Sequence, residues 1–134
     1  MKLLIGGSSS KIFHLKEFGK ELETIGIKCK ILMDSEIYDG FPSRKIQNWF
    51  QSKKKFNSII NEFHPDAILI DRQRHFGLAA IKSNIPLLVH VRGDFWSEIK
   101  WAKETIYKTF PKNIAIKQWE KIGNECFRNA SMIL

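Results

Sequence analysis

The sequence predicts an α/β fold, a Rossmann-like open parallel sheet with helices on both faces. Three observations carry this. Short apolar runs recur along the chain, amphipathic helical stretches separate them, and the runs are apolar throughout rather than alternating. Strands buried on both faces belong to parallel sheets covered by helices. With 134 residues the chain forms one domain, 1–134, with a single core.

The elements follow in order. "KLLIGG" opens with a strand, Lys2–Ile5, closed by Gly6 and Gly7. Ile12, Leu15, Phe18, Leu22 and Ile25 then recur at three- and four-residue steps, the stripe of an amphipathic helix. Gly26 is placed to end it in the left-handed conformation. Ile27–Met33 gives a second strand, and Asp34–Ser43, with Gly40 and Pro42, reads as a loop. Ile46, Trp49, Phe50, Phe56, Ile59, Ile60 and Phe63 fit a helical face, with a break expected near Ser52. Pro65 ends that helix, because proline disfavours helical geometry in the residue before it.

"AILI" (Ala67–Ile70) is a buried strand ending in Asp71, followed by the polar loop "DRQRHFG" and a helix near Leu78–Ser83. "NIP" punctuates the chain before the strand "LLVHV", Leu87–Val91. Helices are expected over Phe95–Phe110, stopped by Pro111, and over Ile114–Arg128, and "SMIL" begins another strand. Right-handed crossovers place the strand-to-helix loops on one edge of the sheet, where ligands of such folds bind. Those loops are Gly6–Ser10, Asp34–Ser43, Asp71–Gly77 and Arg92–Glu98.

Composition narrows the function classes. Net charge is +8 and the isoelectric point about 9.6, which favours anionic partners: nucleic acid, anionic lipid or phosphorylated substrates. No apolar stretch approaches the roughly 18 residues of a transmembrane segment. The N-terminal apolar run is too short for a signal peptide, so a cytoplasmic protein is expected. Cys29 and Cys126 lack metal-type spacing and read as reduced, buried thiols. The four histidines show no metal spacing either, and His14 and His64 read as structural.

Gly6, Gly7 and Ser8 open a loop in which backbone can approach a phosphate at a helix start. "GGSSSK" is neither G-x-x-x-x-G-K-[ST] nor G-x-G-x-x-G, so the alternative of a glycine turn capped by serine stays open. "RKIQNWFQSKKKF" interleaves aromatic and basic residues without an acid. Arg44, Lys45, Trp49, Lys53, Lys54 and Lys55 could lie on an anionic membrane, or the aromatics face the core and the lysines are solvated. Asp71, Arg72, Arg74 and His75 bring more charge to the binding edge than a turn needs, and arginine suits phosphate or carboxylate.

The densest constellation is "LLVHVRGDFWSE", with His90, Arg92 and Asp94 around the end of a strand. His90 is either a core residue or a catalyst, and Asp94 either a catalyst or an N-cap. Trp96 either walls a pocket or locks a helix onto the sheet.

The order of "GGSSS", "FNSIINEFHPDAILID", "GLAAIKSNIPLLVHVRGDFWSE" and "CFRNASMIL" resembles the N-terminal domain of family-4-type glycosyltransferases of the GT-B fold. The resemblance covers nearly the whole chain, and its most specific part is "HPDAILID" followed by "AAIKSNIPLLVHVRGDFW". It implies an acceptor-binding half, with the nucleotide-sugar donor held jointly with a C-terminal domain that this sequence lacks. The acceptor is then a glycan or a lipid-linked saccharide, and the chain is inactive alone. Gly6 and Gly7 would close over donor phosphates, and His90, Arg92 and Asp94 compete for the catalytic position after the "IP" strand. Arg72, Arg74, His75 and Trp96 fall to the acceptor. No metal or other cofactor is implied, because basic groups and helix ends stabilise the departing diphosphate. Peripheral attachment to the inner membrane face agrees with the basic-aromatic segment. Two other readings compete: a stand-alone nucleotide-binding module, and a basic nucleic-acid-binding domain, for which no recognised motif is present.

Overall fold

A computed structural model describes residues 1–37, 52–72 and 75–134, the side chains of 52–54 and 75 excepted. Five strands, β1 (Lys2–Gly7), β2 (Lys28–Met33), β3 (Ala67–Asp71), β4 (Leu87–His90) and β5 (Met132–Ile133), form one sheet in the order β2-β1-β3-β4-β5. Every neighbouring pair is parallel. The fold is thus α/β and Rossmann-like, as the apolar strands predict.

The chain steps from β1 to β2 in one direction and from β3 onward in the other. Right-handed connections therefore put α1 (Ile12–Thr24) on one face and the later helices on the opposite face. Two separate cores follow. Leu3, Ile5, Leu15 and Leu69 pack under α1. Leu4, Ile68, Ile70, Val89, Phe56 and Phe76 belong to the larger core on the other face. That core is covered by α3 (Ser52–Phe63), α4 (His75–Ile81) and the C-terminal part of α6 (Lys112–Asn129). The strand order reverses between β1 and β3, and the crevice outside the carboxyl ends at that point is where such sheets take ligands.

Several boundaries differ from the sequence expectation for physical reasons. Gly6 and Gly7 lie inside β1, paired with Leu32 and Met33 of β2, rather than in a free loop. The loop expected from Asp34 begins as a short helix, α2 (Asp34–Ile37), which buries Ile37, while Glu36 accepts from Met33 N at 2.6 Å. Helix α4 starts at His75, not Leu78, because Phe76 is drawn wholly into the core, edge-on to Phe56 at 5.3 Å. The helix expected over Phe95–Phe110 is α5 (Phe95–Glu104), and a turn at Thr105–Pro111 leads into α6. Tyr107 in that turn packs against Trp119, which holds the chain out of helix. Gly26 ends the first helical segment at φ +84°, as its position predicts. The expected helix over 46–51 and the loop over 38–43 lie outside the described residues. Among the described residues no helix is long and apolar enough to cross a membrane.

Candidate functional site

The register of the sheet lines up a row of residues at its carboxyl edge. Gly7 pairs with Met33, Asp71 with His90, and Leu134 bonds across to β4, its N–H donating to Val89 O at 2.9 Å. In-register residues of a parallel sheet share a face, so Asp71 and His90 both point to the face that carries α1. A cleft of about 380 Å³ opens there, lined by His14 and Phe18 of α1, Asp71, His90, Arg92 and Leu134 among others.

Asp71 is the one charged residue of the buried set among the described residues, 3% exposed at the end of β3. Its Oδ1 accepts from His90 Nδ1 at 3.0 Å. An ionised carboxylate only accepts, so a bond to it requires a proton on His90 Nδ1. Arg92 Nε also lies 3.0 Å from Asp71 Oδ1, an ion pair by distance but without hydrogen-bond alignment. Asp71 Oδ2 is buried and has no hydrogen-bond partner among the described residues. A buried carboxylate flanked by a guanidinium and an imidazole is compensated in charge yet keeps one acceptor atom open.

The backbone around the pair is constrained. Arg72, exposed, adopts φ +73°, and its N–H donates to His90 O at 3.1 Å. A non-glycine residue held in the left-handed region beside a cleft is a type of strain that clusters at functional sites. Gly93, at φ +71°, turns the chain after Arg92.

The other sequence candidates separate into groups. Gly6 and Gly7 are buried, and a Cβ on Gly6 would meet the Phe76 ring at 2.7 Å. One on Gly7 would meet Leu15 Cδ1 at 2.3 Å and lie 3.7 Å from Asp71 Cβ. Close packing therefore accounts for both glycines without a phosphate. Ser8 stands after them with its Oγ 3.0 Å from Ser10 Oγ. Asp94 is the N-cap of α5: Oδ1 accepts from Trp96 N and Ser97 N, and Oδ2 accepts from Ser97 Oγ at 2.6 Å. Those bonds hold its carboxyl below the ordinary range, the Ser97 hydroxyl contributing most.

Trp96 stacks on Phe127 with ring centroids 5.0 Å apart and donates Nε1–H to Asn124 Oδ1 at 3.3 Å. It is exposed on the first turn of α5 and is not among the cleft-lining residues. Arg44, Lys45, Trp49 and Arg74 lie outside the described residues, as do the side chains of Lys53, Lys54 and His75. Lys55 is exposed on α3.

Known proteins add nothing to this geometry. No protein-family model, no curated protein and no solved structure matches the chain. The functional reading rests on the residues themselves.

Sequence reasoning put Asp71, His90 and Arg92 among the candidates at the carboxyl edge, but in separate loops and without the pairing between them. Asp71 ends its strand two loops away in sequence, and only the register of β3 against β4 brings it to His90. The available signal was an acid and a histidine each closing an apolar strand. The spacing puts Phe18 on the amphipathic stripe and makes His14 a structural helix-face residue, whereas both are exposed and line the cleft. Among the described residues, α1 is the helix that covers the core of Leu3, Ile5 and Leu69.

Proposed function

We propose that this chain is the acceptor-side half of a GT-B-type sugar transferase, with His90 as the group that takes the proton from the acceptor hydroxyl. The observation that supports it is the Asp71–His90 pair in a cleft beside the β1/β3 switch point. In the proposed step the acceptor oxygen attacks the anomeric carbon, and the bond from that carbon to the diphosphate breaks. The hydroxyl proton passes to His90 Nε2. Asp71 orients the ring and stabilises the imidazolium as it forms, and Arg92 balances the charge of Asp71. The donor is a nucleotide-sugar shared with a second, donor-binding domain, and the acceptor a glycan or lipid-linked saccharide.

Saccharide binding by the isolated chain tests this. Saturation-transfer NMR against oligosaccharides and nucleotide-sugars should show saccharide contacts that weaken in His90→Gln, with only weak nucleotide binding. Tight, stoichiometric nucleotide binding without saccharide contact would favour the stand-alone nucleotide module instead. Transferase turnover by the isolated chain would refute the half-site reading. Substitution of Gly7 cannot serve as the nucleotide control, because Leu15 occupies the space a side chain needs; Ser8→Ala is the suitable variant.

A further inference from the structure

The α5–α6 hairpin leaves a second surface unexplained. Its inner seam is already filled. Ile99 is buried, Phe95 packs on Phe127 at 5.3 Å, and Tyr107 packs on Trp119 at the same centroid distance. Lys103 bonds Glu120 across the two helices. What remains outside the seam is apolar: Trp101 is 57% exposed, Ile106 54%, Phe110 76% and Ile114 43%.

Single exposed apolar residues are ordinary, but four large ones in the span 101–114 leave a concentration of apolar surface with no core to fill. The charge around them is mostly basic, with Glu98 and Glu104 as the exposed acids on α5. Lys108, Lys112 and Lys117 are exposed, and no acid occurs from Thr105 to Lys117. Lys100 extends the basic rim on α5.

We propose that the α5–α6 turn is a membrane-surface anchor, with Trp101, Ile106, Phe110 and Ile114 entering the headgroup–acyl boundary of an anionic bilayer. Projecting apolar side chains need a soft apolar phase around them, and lysines with long stems keep their ammonium groups at the phosphates while their methylenes follow the apolar tips. Nucleic acid would use the lysines and leave the four apolar groups in water. The anchor is a different stretch of chain from the basic-aromatic segment Arg44–Phe56 that the sequence suggests for this role. Because α5 starts immediately after the Val91–Asp94 loop, an anchored hairpin is joined directly to the strand that carries His90. The proposal is independent of sugar transfer.

Co-sedimentation of the full chain with vesicles tests it, using phosphatidylcholine alone and phosphatidylcholine mixed with phosphatidylglycerol. Binding to the anionic vesicles only, weakened by salt, is expected. Lys108→Gln/Lys112→Gln should lower partitioning about thirtyfold. Trp101→Ser/Phe110→Ser should lower it about tenfold or more. Ile25→Ser, an exposed apolar position at the end of α1, should bind like the parent chain. The lysine variant alters only exposed side chains and keeps the test valid if the apolar variant melts early. No binding to anionic vesicles overturns the proposal. So does binding that survives both hairpin variants but is lost in Lys53→Gln/Lys54→Gln/Lys55→Gln. Hairpin variants that dissolve a dimer of the chain without any vesicle binding overturn it too.

Discussion

Asp71 and His90 stand opposite one another on adjacent parallel strands, and the carboxylate of the first receives the Nδ1 proton of the second at 3.0 Å. The buried member is the acid and the half-exposed member is the base, which is the arrangement a proton-accepting imidazole needs. With Nδ1 engaged by the acid, Nε2 is the ring nitrogen left to take a proton.

Asp71→Asn should break that assignment. An amide can present its NH₂ group to Nδ1, so nitrogen-15 NMR of the imidazole should shift from the Nδ1–H form toward the Nε2–H form. Removing the acid also leaves Arg92 near a neutral group. Loss of a fully buried partner costs about 3–5 kcal/mol. Arg92 and His90 are partly solvated, so urea unfolding should show about 1–3 kcal/mol here. An unchanged tautomer in Asp71→Asn would remove the pair from the mechanism.

Gly6 and Gly7 look alike in sequence and should respond differently to alanine. At Gly6 the new methyl group meets the ring of Phe76, which is fully buried and held edge-on by Phe56. Neither ring has space to retreat, so Gly6→Ala should cost about 1–3 kcal/mol. At Gly7 the obstacle is the end of the Leu15 side chain, which can change rotamer toward the cleft. Gly7→Ala should therefore cost less, and Leu15→Ala should couple favourably with it in a double-mutant cycle. Equal losses at the two positions would refute this account of the glycines.

Much of the architecture was readable because it rests on local pattern. Apolar runs such as Leu87–Val89 and the three- and four-residue spacing of Leu15 and Leu22 are set by single elements. Gly26 and Asp94 act within one turn of chain, and the structure finds each in a role that its sequence position suggested. The cleft was less readable because it depends on register and coverage. Nothing near Asp71 in sequence announces His90, and nothing in α1 says which of its residues will line a cleft. Gly6 and Gly7 illustrate the same limit: a phosphate loop and a tightly packed strand end require the same residue, and only Phe76 and Leu15 distinguish them.

Asp94 caps α5 through two backbone N–H groups and the Ser97 hydroxyl. Its carboxyl is held below its ordinary value of 3.8, so its contribution to stability is fully present above that value and is lost as pH falls through the lowered one. Asp94→Ala should lower the thermal midpoint at neutral pH and remove that part of the acid dependence. Asp94→Ser should retain most of the midpoint, since serine also caps, while losing the acid dependence. If Asp94→Ser showed the parent's acid profile, the cap would not be its source.

Cys126 gives the opposite dependence, at the alkaline end. Its thiol is fully buried in the larger core, and burial, with a smaller push from Glu125, raises it from an ordinary 9.0 to about 12. Below pH 9 the thiol is neutral in both folded and unfolded chains, and its contribution is fully present. Above that the unfolded thiol ionises while the folded one stays neutral until about pH 12, so stability falls with rising pH over that window. The slope from this group alone approaches about 1.4 kcal/mol per pH unit. Cys126→Ala is less stable at neutral pH because it empties the space against Gly77 and Ile70. Its own alkaline curve should nevertheless be flatter, and the parent-minus-variant difference, in which lysines and tyrosines cancel, should carry the slope. The same burial makes Cys126 slow toward iodoacetamide until the chain unfolds, whereas the partly exposed Cys29 reacts in the folded state. Alkylation of Cys126 at the rate of Cys29 in the native chain would show that α6 does not stay closed over β4 in solution.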